Sequence, residues 1–155
     1  RAPGAGARRF GGYAADEVVA EAAPLFEWGG KNADGTDGFT QHRPGWAMPI
    51  HQLLAQNRVS VVFHGHDHFY AKQDLDGMVY QEVPQPGNPG SDRAPRSAAD
   101  YGYRNGVILG GSGHMRVAVS PGRLTAEYVR VSVPQTAHAS RPGGNVAHSY
   151  TVTAR

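Results

Sequence analysis

The run Phe63-His64-Gly65-His66-Asp67-His68-Phe69-Tyr70 sets three imidazoles at alternate positions, directly after the apolar stretch Val59-Ser60-Val61-Val62-Phe63. Neutral imidazole is a ligand for zinc, iron and other first-row metals. Two such ligands separated by one residue serve two adjacent ions when the backbone turns sharply between them. Gly65 makes that turn cheap, because glycine tolerates positive φ and close backbone approach. His66 and His68 are therefore the candidate metal ligands. The competing reading is an alternating histidine run on a solvated strand face, in a chain with eight histidines in all. The β-branched run ahead of the motif favours the metal reading.

The neighbours carry weaker signals. If the strand persists, His64 points to the opposite face from its neighbour, in a supporting or simply buried role. Asp67, between the two candidate ligands, either orients an imidazole through a carboxylate hydrogen bond or serves the turn. Arg43 and Tyr70 read first as surface or packing residues, with facing a substrate phosphate as the alternative. His51 reads as a packed or capping side chain. Gly110-Gly111-Ser112-Gly113-His114 lacks the helix and the Gly-Lys-Ser/Thr that a phosphate-binding loop needs, and reads as a strand-connecting turn. Trp28 and Trp46 flank a polar loop, as core packing or as cleft lining.

The elements that must position these residues follow from patterning. Ala14–Ala23 is a helix candidate with Asp16 and Glu17 in its first turn, and Pro24 closes it. Gly29–Gly45 reads as a long loop. Pro49 suits the start of a helix over Ile50–Gln56, with Ile50, Leu53 and Leu54 on one face. Asn57-Arg58 then leads into a strand over Val59–Phe63, the beginning of an α/β pattern. Asp74-Leu75-Asp76-Gly77 is a turn and Met78–Val83 a strand, and residues 84–103 read as a polar loop. Further strands are expected over Gly106–Leu109, Met115–Ser120, Leu124–Val131 and Ser149–Thr153. Ser120-Pro121-Gly122-Arg123 makes a hairpin turn, and Pro134–Ala147 reads as flexible.

A chain of 155 residues suggests one domain, able to bury roughly 68–70% of its unfolded surface. There are no cysteines, so disulfides and thiolate metal sites are excluded. The formal charge of +2 is dispersed and forms no basic block, which gives no nucleic-acid signal. No apolar run approaches the ~20 residues of a membrane span. The chain starts with Arg1 and shows no signal-peptide pattern, so we expect it to be a piece of something longer.

Gly65-His66-Asp67-His68 resembles the Gly-His-x-His signature of calcineurin-like metallophosphoesterases, a family related to purple acid phosphatases. Glu27-Trp28-Gly29-Gly30, Arg43-Pro44-Gly45-Trp46, Pro49-Ile50-His51-Gln52-Leu53-Leu54 and Asp76-Gly77-Met78-Val79-Tyr80-Gln81 widen the resemblance over most of the chain. It implies the C-terminal part of a four-layer α/β sandwich, β-rich towards its end. It also implies two divalent or trivalent metal ions (Mn, Fe or Zn), His66 binding one and His68 the other. The reaction implied is hydrolysis of a phosphomonoester or phosphodiester, in which paired cations clamp the oxygens of an in-line displacement and activate a water. The family's Asp-x-His, Gly-Asp and Gly-Asn-His motifs do not occur here. The bridging carboxylate and the acid-base histidine are therefore expected from the missing N-terminal part of the same domain, and the isolated chain is expected to be inactive. The rival readings are a non-catalytic β-rich interaction module with incidental histidines, and a mononuclear imidazole-metal protein, for which no convincing third ligand follows His68.

Overall fold

The computed structural model describes residues 25–32, 36–65, 67–87, 94–100, 103, 105–131 and 144–154. The expected helix over Ala14–Ala23 lies outside them. Within them the chain is mixed α/β and strand-rich, with two sheets.

Among the described residues three helices precede the first strand: α1 (Leu25–Trp28), α2 (Phe39–His42) and α3 (Ile50–Gln56). The first sheet contains β1 (Val61–His64), β2 (Tyr70–Leu75), β3 (Met78–Glu82) and β4 (Val107–Leu109), in the order β1-β3-β2-β4. Asp76 (φ 50°) and Gly77 (φ 74°) join β2 to β3. Positive φ at both central residues is what a two-residue hairpin of type I′ demands. Helix α4 (Ala94–Asp100) lies between β3 and β4 in the chain. The second sheet is an antiparallel meander of β5 (Gly113–Ser120), β6 (Arg123–Arg130) and β7 (Val146–Thr153). Pro121 followed by Gly122 at φ 87° makes its first turn, the residue pattern of a type II turn.

Period-two alternation divides the faces of the first sheet. On one face Met78 and Tyr80 pack with Trp28 from α1, Leu54 and Ala55 from α3, and Val59, Val62 and Leu75. Beside them Phe69 and Ala71 pack with Ala94 and Ala98 of α4, Tyr103 and Ile108. The opposite face meets the second sheet. There the Tyr70 and Tyr128 rings stack at 4.7 Å, the Tyr70 hydroxyl lies 2.7 Å from His148 Nδ1, and Lys72 sits over the Tyr150 ring. The layers thus run helix, sheet, sheet.

Several elements differ from the sequence reading. Tyr70–Leu75 is a strand, which confines the turn to Asp76-Gly77. Residues 84–103 contain helix α4, and the Gly29–Gly45 segment contains α2 and a bridge between Lys31 and Asp37. Helix α3 has the expected limits, with Pro49 as its N-cap, yet Leu53 is exposed and His51 is buried in its place. His51 turns inward because both its ring nitrogens find partners there. Strand β7 starts at Val146, earlier than expected, because its backbone continues pairing past a register shift at Tyr128/Val129. Among the described residues no helix is long and apolar enough to cross a membrane.

Candidate metal turn

Strand β1 runs parallel to β3, and β3 runs antiparallel to β2, so β3 lies between the two strands that the histidine motif connects. The connection from Gly65 to Phe69 therefore crosses the C-terminal end of β3. The residue at that end is Glu82, whose register partners are His64 on β1 and Ala71 on β2.

Glu82 is fully buried. Its Oε1 accepts a hydrogen bond from the Asp67 backbone N–H at 2.9 Å. Its Oε2 lies 2.7 Å from His64 Nδ1. The two side chains form a close imidazole–carboxylate pair at the end of the strands. Asp67, also buried, accepts the Tyr103 hydroxyl on Oδ2 at 2.9 Å. Tyr103 in turn packs edge-on against Phe69, with ring centroids 5.1 Å apart. His64, Glu82, Asp67 and Tyr103 thus form one buried polar row beneath the connection.

His68 is exposed, with a backbone φ of 65°. The left-handed region is uncommon for residues other than glycine, although histidine enters it more readily than most. Holding a residue there costs on the order of 1–3 kcal/mol and persists only where surrounding contacts determine it. The anchored Asp67 immediately before it is such a contact. His66 lies outside the described residues. Among the described residues no group of three or more His, Asp and Glu is placed to hold a metal ion.

The other candidate residues lie elsewhere. Tyr70 has no exposed surface; burial, with Tyr150 and Tyr128 nearby, raises its pKa. It is a core residue between the sheets, not one that faces a substrate. Arg43 donates from Nε to Glu27 Oε1 at 2.6 Å and lies over the Phe26 and Trp46 rings, which occupies its guanidinium locally. His42 stacks on Phe26. Trp28 packs in the core, while Trp46 is half exposed beside Phe39. His51 places Nδ1 2.7 Å from the Tyr80 hydroxyl and Nε2 2.8 Å from Asp76 Oδ2. This Asp-His-Tyr row ties α3 to the β2–β3 hairpin, with Tyr80 buried in the core.

Glu82 and Tyr103 were not singled out in the sequence. Glu82 had a signal, a carboxylate closing the otherwise uncharged strand Met78-Val79-Tyr80-Gln81. Tyr103 had none, since its role depends on where the chain returns. Comparison with family models, with curated proteins and with solved structures finds no match to this chain.

Proposed function

We propose that this chain carries one wall of a dinuclear metal centre in a metal-dependent phosphoesterase. The observation that supports the reading best is the exposed, left-handed His68 set directly after Asp67, whose backbone N–H is held by Glu82 at the end of β3. His66 and His68 are the proposed ligands, one for each ion. The ions, Mn, Fe or Zn, would supply Lewis acidity and an activated water. Asp67 and His64 keep the connection in shape, and the remaining ligands come from an N-terminal part of the same domain. The substrate is a phosphomonoester or a phosphodiester.

The test uses the complete polypeptide, with metal content and hydrolysis of a generic aryl phosphate measured side by side. His66→Ala and His68→Ala should each abolish metal-dependent turnover and lower bound metal while the circular dichroism spectrum is unchanged. Near-normal turnover by either folded variant overturns the proposal and returns the chain to the class of interaction modules.

A further inference from the structure

We infer that Arg130 is an oxyanion-binding residue at the end of the two sheets that carries His68. Its assignment to the phosphoryl group of the substrate rests on the phosphoesterase reading. The preference for an oxyanion rests on the surroundings of the guanidinium itself.

The strand registers fix its place. Strand β2 begins at Tyr70, two residues after the exposed His68, and Tyr70 pairs with Leu109 at the end of β4. Gly110 and Gly111 continue from there, and their carbonyls accept the Tyr128 hydroxyl. Tyr128 in turn stacks on Tyr70. Arg130 stands two residues further along β6 and so shares the face of Tyr128. Its guanidinium carbon lies 5.8 Å from the centre of the Tyr128 ring. Arg130 is therefore at the rim from which the histidine connection emerges, on the side of β6 that meets the first sheet.

Charge agrees with place. Arginine stays protonated and offers five N–H donors in a fork that matches phosphate and carboxylate oxygens. A cation partly withdrawn from water recovers its hydration best from an anion. The other partly buried cations have one: Arg43 pairs with Glu27, and Lys72 with Asp74. Among the described residues no carboxylate pairs with Arg130, and its Nε is buried without a hydrogen-bond partner. The Tyr128 ring face returns only part of the lost hydration, and the Tyr128 hydroxyl proton goes to the two glycine carbonyls. The arginine is nonetheless packed. A Cβ on Gly111 would come within 3.0 Å of Nε and 3.3 Å of Cδ, so glycine is what lets the loop lie against this stem. A positioned guanidinium with no internal counter-ion is suited to an arriving oxyanion.

The experiment measures orthophosphate binding by calorimetry in the complete polypeptide, kept metal-free with EDTA so that the arginine is read apart from any metal. Arg130→Met keeps an apolar stem over Tyr128 and removes the charge. It should weaken phosphate binding about 10–100-fold with an unchanged circular dichroism spectrum. Arg130→Lys supplies a point charge in place of the fork and should fall between the two. If Arg130→Met does not fold, Arg130→Lys decides. Arg123→Met removes an exposed arginine at the opposite end of the same strand and should bind like the parent. Parent-like affinity in the deciding Arg130 variant overturns the inference, as does an equal loss in Arg123→Met or no phosphate binding by the parent. Turnover of an aryl phosphate is measured in parallel with metal restored. Arg130-dependent phosphate binding without turnover in the parent overturns the phosphoesterase reading and leaves the oxyanion site. Turnover with phosphate binding indifferent to Arg130 overturns the inference and leaves that reading.

Discussion

His51 Nδ1 and the Tyr80 hydroxyl meet at 2.7 Å, while the other ring nitrogen of His51 lies 2.8 Å from Asp76 at the tip of the β2–β3 hairpin. One imidazole therefore ties helix α3 to both the middle and the end of that hairpin. Burial, reinforced by the Asp76 carboxylate, raises the Tyr80 pKa. In the tautomer with the proton on Nε2, the Tyr80 hydroxyl donates to Nδ1 and Nε2–H donates to Asp76 Oδ2.

This bridge sets the first prediction. His51→Phe strands the Tyr80 hydroxyl without its acceptor, and an unsatisfied buried polar group costs about 1–3 kcal/mol. The double variant His51→Phe/Tyr80→Phe should recover part of the loss, because both polar partners are then gone. Urea denaturation of the two single variants and the double variant measures the coupling. Strict additivity would show that the two residues do not interact. Asp76→Asn should cost less, since that carboxylate is largely exposed.

The second prediction concerns pH. Burial lowers the His148 pKa from 6.5, and the Lys72 ammonium adds to the effect. The folded state therefore resists a proton that the unfolded chain accepts. Stability should be complete above about pH 6.5 and should decline as pH falls below it, because the unfolded state binds more protons there. Protonation would also remove Nδ1 as acceptor for the Tyr70 hydroxyl. His148→Gln should flatten the slope between pH 5 and 7, read as urea midpoint against pH. An unchanged slope would assign the dependence to another group.

How much of this was legible in the sequence depended on whether local pattern or remote pairing decided the outcome. Helix Ile50–Gln56 and the Ser120–Arg123 turn were legible because Pro49, Pro121 and Gly122 determine local backbone. Strand Tyr70–Leu75 was not, since Lys72 and Asp74 break its apolar alternation. They are accommodated by pairing with each other and by the Tyr150 ring, a neighbour from the far end of the chain. Helix α4 was hidden by Pro95, which is tolerated in a first helical turn. The buried residues described on it are Ala94 and Ala98, too small to register as an apolar stripe. At the candidate site the histidine spacing was legible. The buried carboxylate beneath it was not, because its contacts arise only when β3 slots between β1 and β2.

The third prediction concerns the rim of the first sheet. Among the described residues no strand pairs with the outer edge of β1. Phe63 is 41% exposed there, and Val119 on the second sheet is 74% exposed. An open edge beside apolar surface is a template for association between copies. Phe63→Lys with Val119→Lys should shift the 155-residue chain towards monomer in light scattering, with a stability change within about 0.5 kcal/mol. Unaltered association would locate the sticky surface elsewhere.

Placement of β3 between two strands that precede it in the chain has a kinetic corollary. The histidine connection leaves the ribosome before the strand it must arch over, so it has nothing to close upon until Met78–Glu82 arrives. The Asp67 amide gains its carboxylate acceptor only with Glu82, and a chain truncated before Glu82 would lack that bond.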